Sequence, residues 1–344
     1  MKKVTVITPC YNSERYLGEC LESLEMQTIG MEQLELILVN DASTDHTWEM
    51  ILEFENKYPD SVIAINLPEN RRQGGARNEA LKYATGEYIA FLDSDDTALP
   101  ETYEKVYRRA KETDADIVQF NHWNYLEEWE ELCDNCKLEE TLDLQDKNAR
   151  KLFLMAEILT MNHCSKLYRH SMLEQSKAQF AEHRIYEEPA FVYPQLFYAK
   201  RICCMKDAFY RIRMNAQSTM HLEARKSDRL IDHPEVQMHV LRYMIVHKEL
   251  MADYYDEIEF YFLKTYYVET LYFAGQGNLI LDLEYFQKMQ KNVRELFPEW
   301  KFNIYLQDKE AHIMCEILDT IYQKFHKEEL ILLCQNVYRI ITKL

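Results

Sequence analysis

Short apolar, β-branched runs alternate with helical spacings through the first 120 residues. Residues 4–8 (Val-Thr-Val-Ile-Thr) and 34–40 (Leu-Glu-Leu-Ile-Leu-Val-Asn) have strand character, and between them Leu17, Leu21 and Leu24 recur at helical spacing within 13–27. The series continues with strands at 62–67, 88–92 and 116–121 and helices at 44–58, 76–84 and 100–113. Ser43 or Thr44 suits the N-cap of the 44–58 helix, and Pro100 suits a first helical turn. Such alternation predicts an α/β fold whose mostly parallel sheet is covered by helices on both faces. In sheets of this kind ligands sit beyond the carboxyl ends of the strands. The loops to inspect are therefore 9–12, 40–45, 69–78 and 93–97.

Residues 125–146 are acidic and poor in aliphatic side chains, which predicts a surface excursion or loop. The pattern from 148 to 220 is mixed. From about 225 the chain becomes helical and aromatic-rich, notably over 236–251, 254–273, 283–296 and 328–344. The last segment is amphipathic with basic residues at its end. Packing on its own domain is the expected outcome, and a partner or membrane-surface helix is the alternative. No internal repeat is visible.

Composition narrows the chemistry. Among 344 residues only 7 are glycine, and none lies between Gly86 and Gly275. No G-x-G-x-x-G or G-x-x-x-x-G-K-[ST] loop is present, which excludes the common glycine-loop dinucleotide and P-loop families. Gly74, Gly75 and Gly86 are expected to supply tight turns. A net charge of −18 argues against a nucleic-acid partner. Nine irregularly spaced cysteines without a leader pattern imply reduced thiols in a cytoplasmic protein. The pair Cys133–Cys136 has no second pair to complete a zinc site. No apolar run approaches the ~18 residues of a membrane span.

The strand at 88–92 runs directly into Asp93-Ser94-Asp95-Asp96. Carboxylates so crowded repel one another unless a cation or hydrogen bonds balance them. The cluster is either a turn bonded to its own backbone or a site for Mg2+ or Mn2+ shared with a substrate pyrophosphate. Asp41 ends the second strand, where it is a helix cap or a ligand contact. Tyr11 follows the first strand, where it is a packed tyrosine or a stacking face for a base.

Four segments occur in order: V-I-T-P-C-Y-N (6–12), L-V-N-D-A-S-T-D (38–45), Q-G-G-A-R-N-E-A-L (73–81) and G-E-Y-I-A-F-L-D-S-D-D (86–96). Together they resemble the nucleotide-binding half of the family 2 glycosyltransferases with the GT-A fold, closely over about 1–122 and more loosely to 220. The resemblance implies a nucleotide-diphosphate-sugar donor, UDP-linked. It also implies a metal ion, Mn2+ or Mg2+. Tyr11 of the P-x-Y-N element would stack on the base and Asp41 would bond it; Asn40 and Ala42 depart from the family's Asp and Gly, Ala42 suggesting a less permissive turn. Asp93 would lie near the ribose and Asp95 on the metal, with Pro9 and Ser94 counted among the donor-binding residues. Arg71, Arg72 and Arg77 are implied donor contacts, Arg77 alternatively a brace for the metal loop.

A second signature of the same resemblance runs through Lys166-Leu-Tyr168, Glu187-Glu-Pro-Ala-Phe191, Tyr210-Arg-Ile-Arg213 and Gln217-Ser-Thr219. It puts the catalytic base, an Asp in the family, on Glu188. It also implies that Arg213 closes over the pyrophosphate and that His221 completes the metal shell. The implied organisation is a GT-A domain over 1–220, split into a donor half (1–122) and an acceptor half (123–220). A helical C-terminal region would follow over 221–344. The expected reaction is inverting transfer of a sugar to a hydroxyl of a saccharide, lipid-linked or protein acceptor, in surface polysaccharide or glycoconjugate synthesis, with peripheral membrane contact as a further expectation. The alternatives are a catalytically silent nucleotide-sugar-binding scaffold and a sugar nucleotidyltransferase.

Overall fold

A computed structural model describes residues 2–126, 129–137, 139–214, 226–308 and 311–343. The chain divides into two compact units, Met1–Asn215 and Ala216–Leu344. In the first unit the strands are β1 Val4–Cys10, β2 Leu34–Asn40, β3 Val62–Asn66, β4 Tyr88–Phe91, β5 Thr97–Ala98, β6 Ile117–Leu126, β7 Trp129–Cys133, β8 Glu140–Asp143, β9 Lys166–Arg169 and β10 Arg201–Arg213. The helices are α1 Leu17–Glu25, α2 Thr47–Lys57, α3 Arg72–Leu81, α4 Thr102–Thr113, α5 Lys147–Ala156, α6 His170–Ser176 and α7 Glu188–Gln195. One sheet forms in the order β3-β2-β1-β4-β9-β6-β10-β5, with β7 added to β6 and β8 to β10.

The parallel sheet expected from the alternation is found in β3-β2-β1-β4. All seven residues of β1 and of β2 are buried, as strands covered on both faces require. Glu35 sits within that buried run and is satisfied by Thr5 Oγ1 at 2.6 Å, Thr85 N at 2.7 Å and Thr85 Oγ1 at 2.7 Å. Beyond β4 the sheet turns mixed, because β9 runs antiparallel to both β4 and β6.

Two expectations are corrected. Residues 125–146 do not form a loop: β7 pairs antiparallel with β6, and β8 with β10. Four of the five residues of β7 are exposed, Trp129 and Leu132 among them, so no buried face left an apolar alternation to read. The third helix begins at Arg72 rather than 76 and takes Gly74 and Gly75 into its body. These glycines serve close approach, not turns. A Cβ on Gly74 would lie 2.5 Å from the Ala181 carbonyl oxygen, and one on Gly75 would lie 2.4 Å from Arg71 Cβ. Gly86 likewise leaves no room, with Thr5 N at 2.6 Å.

The second unit is helical, with Asp232–Val246, Tyr255–Phe262, Leu283–Leu296 and Lys327–Ile341 as its longer elements. A π-helical turn, Leu263–Glu269, buries Tyr266 and Tyr267. Helix Lys327–Ile341 turns Leu330, Cys334 and Val337 inward and packs on Thr270–Gln276. The crossing is tight enough that a Cβ on Gly275 would meet the Cys334 carbonyl oxygen at 2.1 Å. Among the described residues no helix is long and apolar enough to cross a membrane.

Candidate active site

The loops after β1, β2 and β4 and the start of α3 meet at the carboxyl edge of the parallel strands, tied by side-chain hydrogen bonds. Asn12 N donates to Ser43 Oγ (3.0 Å), and Asn12 Oδ1 accepts from Thr44 N (2.8 Å). Ser13 N donates to Thr47 Oγ1 at 2.8 Å, while the hydroxyls of Ser13 and Ser94 lie 2.7 Å apart. Asp41 N bonds the Cys10 carbonyl at 2.8 Å. Its carboxylate accepts Arg71 N at 2.7 Å, joining the β2 loop to α3. Burial raises the Asp41 carboxyl above its ordinary pKa, and the Arg71 and Arg72 backbone N–H groups offset part of the rise. Ala42 takes a left-handed φ of 58°. The turn keeps that conformation without glycine, at a cost of about 1 kcal/mol or more.

Tyr11 stands on this rim with 52% of its surface exposed. Pro9 is buried within β1 opposite Val39, beyond the end of the β1–β4 pairing at Ile7 and Phe91. Ser94 is buried, its hydroxyl committed to Ser13.

Strand β10 clamps the aspartate loop from the other side. Asp93 N donates to Tyr210 Oη at 2.9 Å, and Tyr210 Oη donates to Asp96 Oδ2 at 2.9 Å. Arg213 N donates to Asp96 Oδ1 at 2.7 Å, and Arg213 Nε to the Asp95 carbonyl at 3.0 Å. The Arg213 guanidinium also pairs with Glu19 and lies over the rings of Tyr16 (4.9 Å) and Tyr125 (4.8 Å). Asp96 thus serves the loop's own structure, while Asp93 and Asp95 stay partly exposed. Burial and the neighbouring Asp93 push Asp95 up to about 6. Burial, then Asp95 and Asp93, push Asp96 well up.

The arginines of the third motif are engaged within the protein. Arg71 pairs with Glu182 at 2.7 Å and with Glu79 at 3.2 Å. Arg72 takes a left-handed φ of 60° and its N–H bonds Asn70 Oδ1 at 3.2 Å. Arg77 is 1% exposed and bridges Glu187 Oε1 and Asp93 Oδ1, each at 2.6 Å. It holds the aspartate loop to the start of α7 and turns no face to solvent. Two further links went unread in the sequence. Asn78 exchanges hydrogen bonds with the Phe180 backbone (3.0 and 2.9 Å), and both Asn78 and Arg71 bond Glu182. Pairs a hundred residues apart leave no local signal.

Glu188 is the first residue of α7 and keeps a partly exposed edge. Among the described residues no side chain hydrogen-bonds its carboxylate. Burial first, then the charges of Glu187 and Asp93, push it up to about 8, with Arg77 opposing. His221 and the Gln217–Thr219 turn lie outside the described residues.

The raised carboxyl has a testable consequence. Unfolded, Glu188 loses its proton near its ordinary value; folded, it keeps it to about 8, so rising pH favours unfolding across that window. His163 and Lys166 also titrate differently on folding, but Glu188→Gln leaves both in place. The unfolding free energy of that variant should gain on the native chain between pH 5 and 8, by up to about 1 kcal/mol per pH unit. The gain shrinks in so far as water reaches the exposed edge. Unfolding in chelator checks it, and parallel pH profiles would contradict it.

The family model described as Glycosyl transferase family 2 matches residues 5–176. The poly(ribitol-phosphate) beta-glucosyltransferase of Bacillus spizizenii is 39% identical over 116 residues, 34% of this chain and 18% of that protein. The uncharacterized glycosyltransferase YibD of Escherichia coli is 27% identical over 263 residues, 75% of this chain and 74% of that one. The crystal structure of Staphylococcus aureus TarS residues 1–349 in complex with UDP-GlcNAc superposes with a TM-score of 0.61. It covers 99% of this chain and 92% of TarS 1–349, at 19% identity. The chain therefore spans less than a fifth of the Bacillus relative.

Proposed function

The chain belongs to glycosyl transferase family 2, and from that membership we propose that it transfers a sugar from a UDP-linked donor to a hydroxyl acceptor with inversion. The observation that carries the reading is the joining of four donor-motif segments into one hydrogen-bonded rim carrying Tyr11, Asp93 and Asp95, which Arg77 ties to Glu187 beside Glu188. Tyr11 offers its exposed ring to the base, and Asp41 bonds that base. Asp93 faces the ribose, and Glu188 takes the proton of the acceptor hydroxyl as that oxygen attacks the anomeric carbon. Arg213, bonded to the Asp95 carbonyl, would meet the diphosphate. Arg71 would have to release Glu182 to do the same.

A divalent cation fits the site. Asp95 is a hard oxygen donor that keeps a partly exposed edge, and burial followed by the neighbouring Asp93 charge pushes its carboxyl up to about 6. Asp95 would hold Mn2+ or Mg2+, which when bound stabilises charge on the leaving diphosphate. Surface polysaccharide is the acceptor class this reading favours, in keeping with the poly(ribitol-phosphate) named for the Bacillus relative.

Thermal unfolding with nucleotides and Mn2+ tests the donor. A ligand at about 100 times its Kd adds about 2.7 kcal/mol, a shift of several degrees. UDP and a UDP-sugar should produce it, GDP should not, and Asp41→Ala should abolish it. Equal shifts with GDP, or none with any nucleotide, would overturn the assignment.

A further inference from the structure

Next to the aspartate loop lie His163 and Cys164, two buried side chains that the transfer reaction leaves unused. Cys164 Sγ is 3.2 Å from His163 Nε2 and 3.6 Å from Asp93 Oδ2, and His163 Nε2 is 4.0 Å from Asp93 Oδ1. One donor atom from each residue lies within 4.8 Å of the others. Zinc bonds of about 2.0–2.3 Å in tetrahedral geometry set ligand atoms roughly 3.3–3.6 Å apart. The thiol already stands near ligand-to-ligand spacing from both the imidazole nitrogen and the carboxylate, while the His163–Asp93 pair is wider and would close on an ion.

The surroundings suit such a site. Arg77 occupies Asp93 Oδ1, which leaves Oδ2, the oxygen facing the thiol. The rings of Phe91 and Phe180 meet the imidazole edge-on at 5.4 and 5.3 Å and fix its plane. His163 Nδ1 is buried without a hydrogen-bond partner, so packing rather than a polar network orients the ring. Asp93, one-third exposed, gives an ion its way in. The geometry points to a binding site for a thiophilic divalent cation of the zinc, cadmium and cobalt class, held by Asp93, His163 and Cys164. As the sulfur–metal bond forms, the thiol proton leaves for solvent. Thiolate, carboxylate and divalent ion then sum to zero charge, which a buried site favours. Sulfur and imidazole select a softer ion than the oxygen donors around Asp95, so this site goes beyond the one proposed for catalysis.

The test is binding alone, independent of any transfer activity. Chelator-stripped protein in excess Mg2+, which occupies oxygen sites, is titrated with Co2+. One equivalent should bring up thiolate-to-cobalt charge-transfer absorption with tetrahedral visible bands. Cys164→Ser should abolish the charge-transfer band, His163→Gln should weaken binding about 100-fold or more, and Cys136→Ser should leave both unchanged. No charge-transfer band at one equivalent, or one that survives Cys164→Ser, overturns the site. If Cys164→Ser does not fold, unchanged affinity in His163→Gln overturns it equally.

Discussion

Arg77→Ala is expected to cost the Met1–Asn215 unit about 3–5 kcal/mol of stability, the scale for removing one partner of a buried ion pair. The native guanidinium meets Glu187 and Asp93 at 2.6 Å each, and its side chain is 2% exposed against 7% for Glu187. Burial alone would lower its pKa, but Asp93 and Glu187 more than reverse that and hold it charged. Truncation leaves the Glu187 carboxylate buried without its cation and opens space against the Phe180 ring, now 5.2 Å away. Arg77→Lys should recover only part of the loss, because one ammonium lacks the fork that reaches two carboxylates. Adding Glu187→Gln to Arg77→Ala should restore part of it, since the double variant no longer buries the unpaired Glu187 charge. Denaturant unfolding measures all three. A loss below about 1 kcal/mol for Arg77→Ala would show that the bridge is incidental.

The rim was legible in the sequence because its parts are local: each motif is a strand end and the loop that follows. Tyr11, Asp41 and Asp93 could be placed from strand runs alone, since ligands gather beyond such ends. What joins the loops was not legible. The Ser13–Ser94 contact spans 81 positions, and the Arg71–Glu182 pair spans 111. The glycines of the third motif misled for a physical reason. Their propensity suggests a turn, but the Ala181 carbonyl and the Arg71 side chain need the space that a Cβ would fill. The strands β7 and β8 hid because they are largely exposed, and an exposed segment reads as surface chain whether or not its backbone is paired. Pro9 and Ser94, donor contacts by motif membership, are both buried, and the Ser94 hydroxyl bonds that of Ser13.

In the transfer proposed here, Glu188 is the proton acceptor. Burial first, then the charges of Glu187 and Asp93, raise it to about 8, so kcat/KM should rise with pH towards that value, as expected of a base that must first lose its proton. Glu188→Asp keeps the carboxylate with a shorter reach and should retain more activity than the amide. Glu188→Gln keeps size and polarity but cannot accept the proton, and positioned bases contribute about 10²–10⁴-fold. The direct measurement is donor affinity and acceptor-dependent UDP release, side by side, in wild type and Glu188→Gln. Donor affinity should stay within about twofold and turnover fall by that factor of 10²–10⁴; turnover near wild type with unchanged donor binding would contradict the role of Glu188.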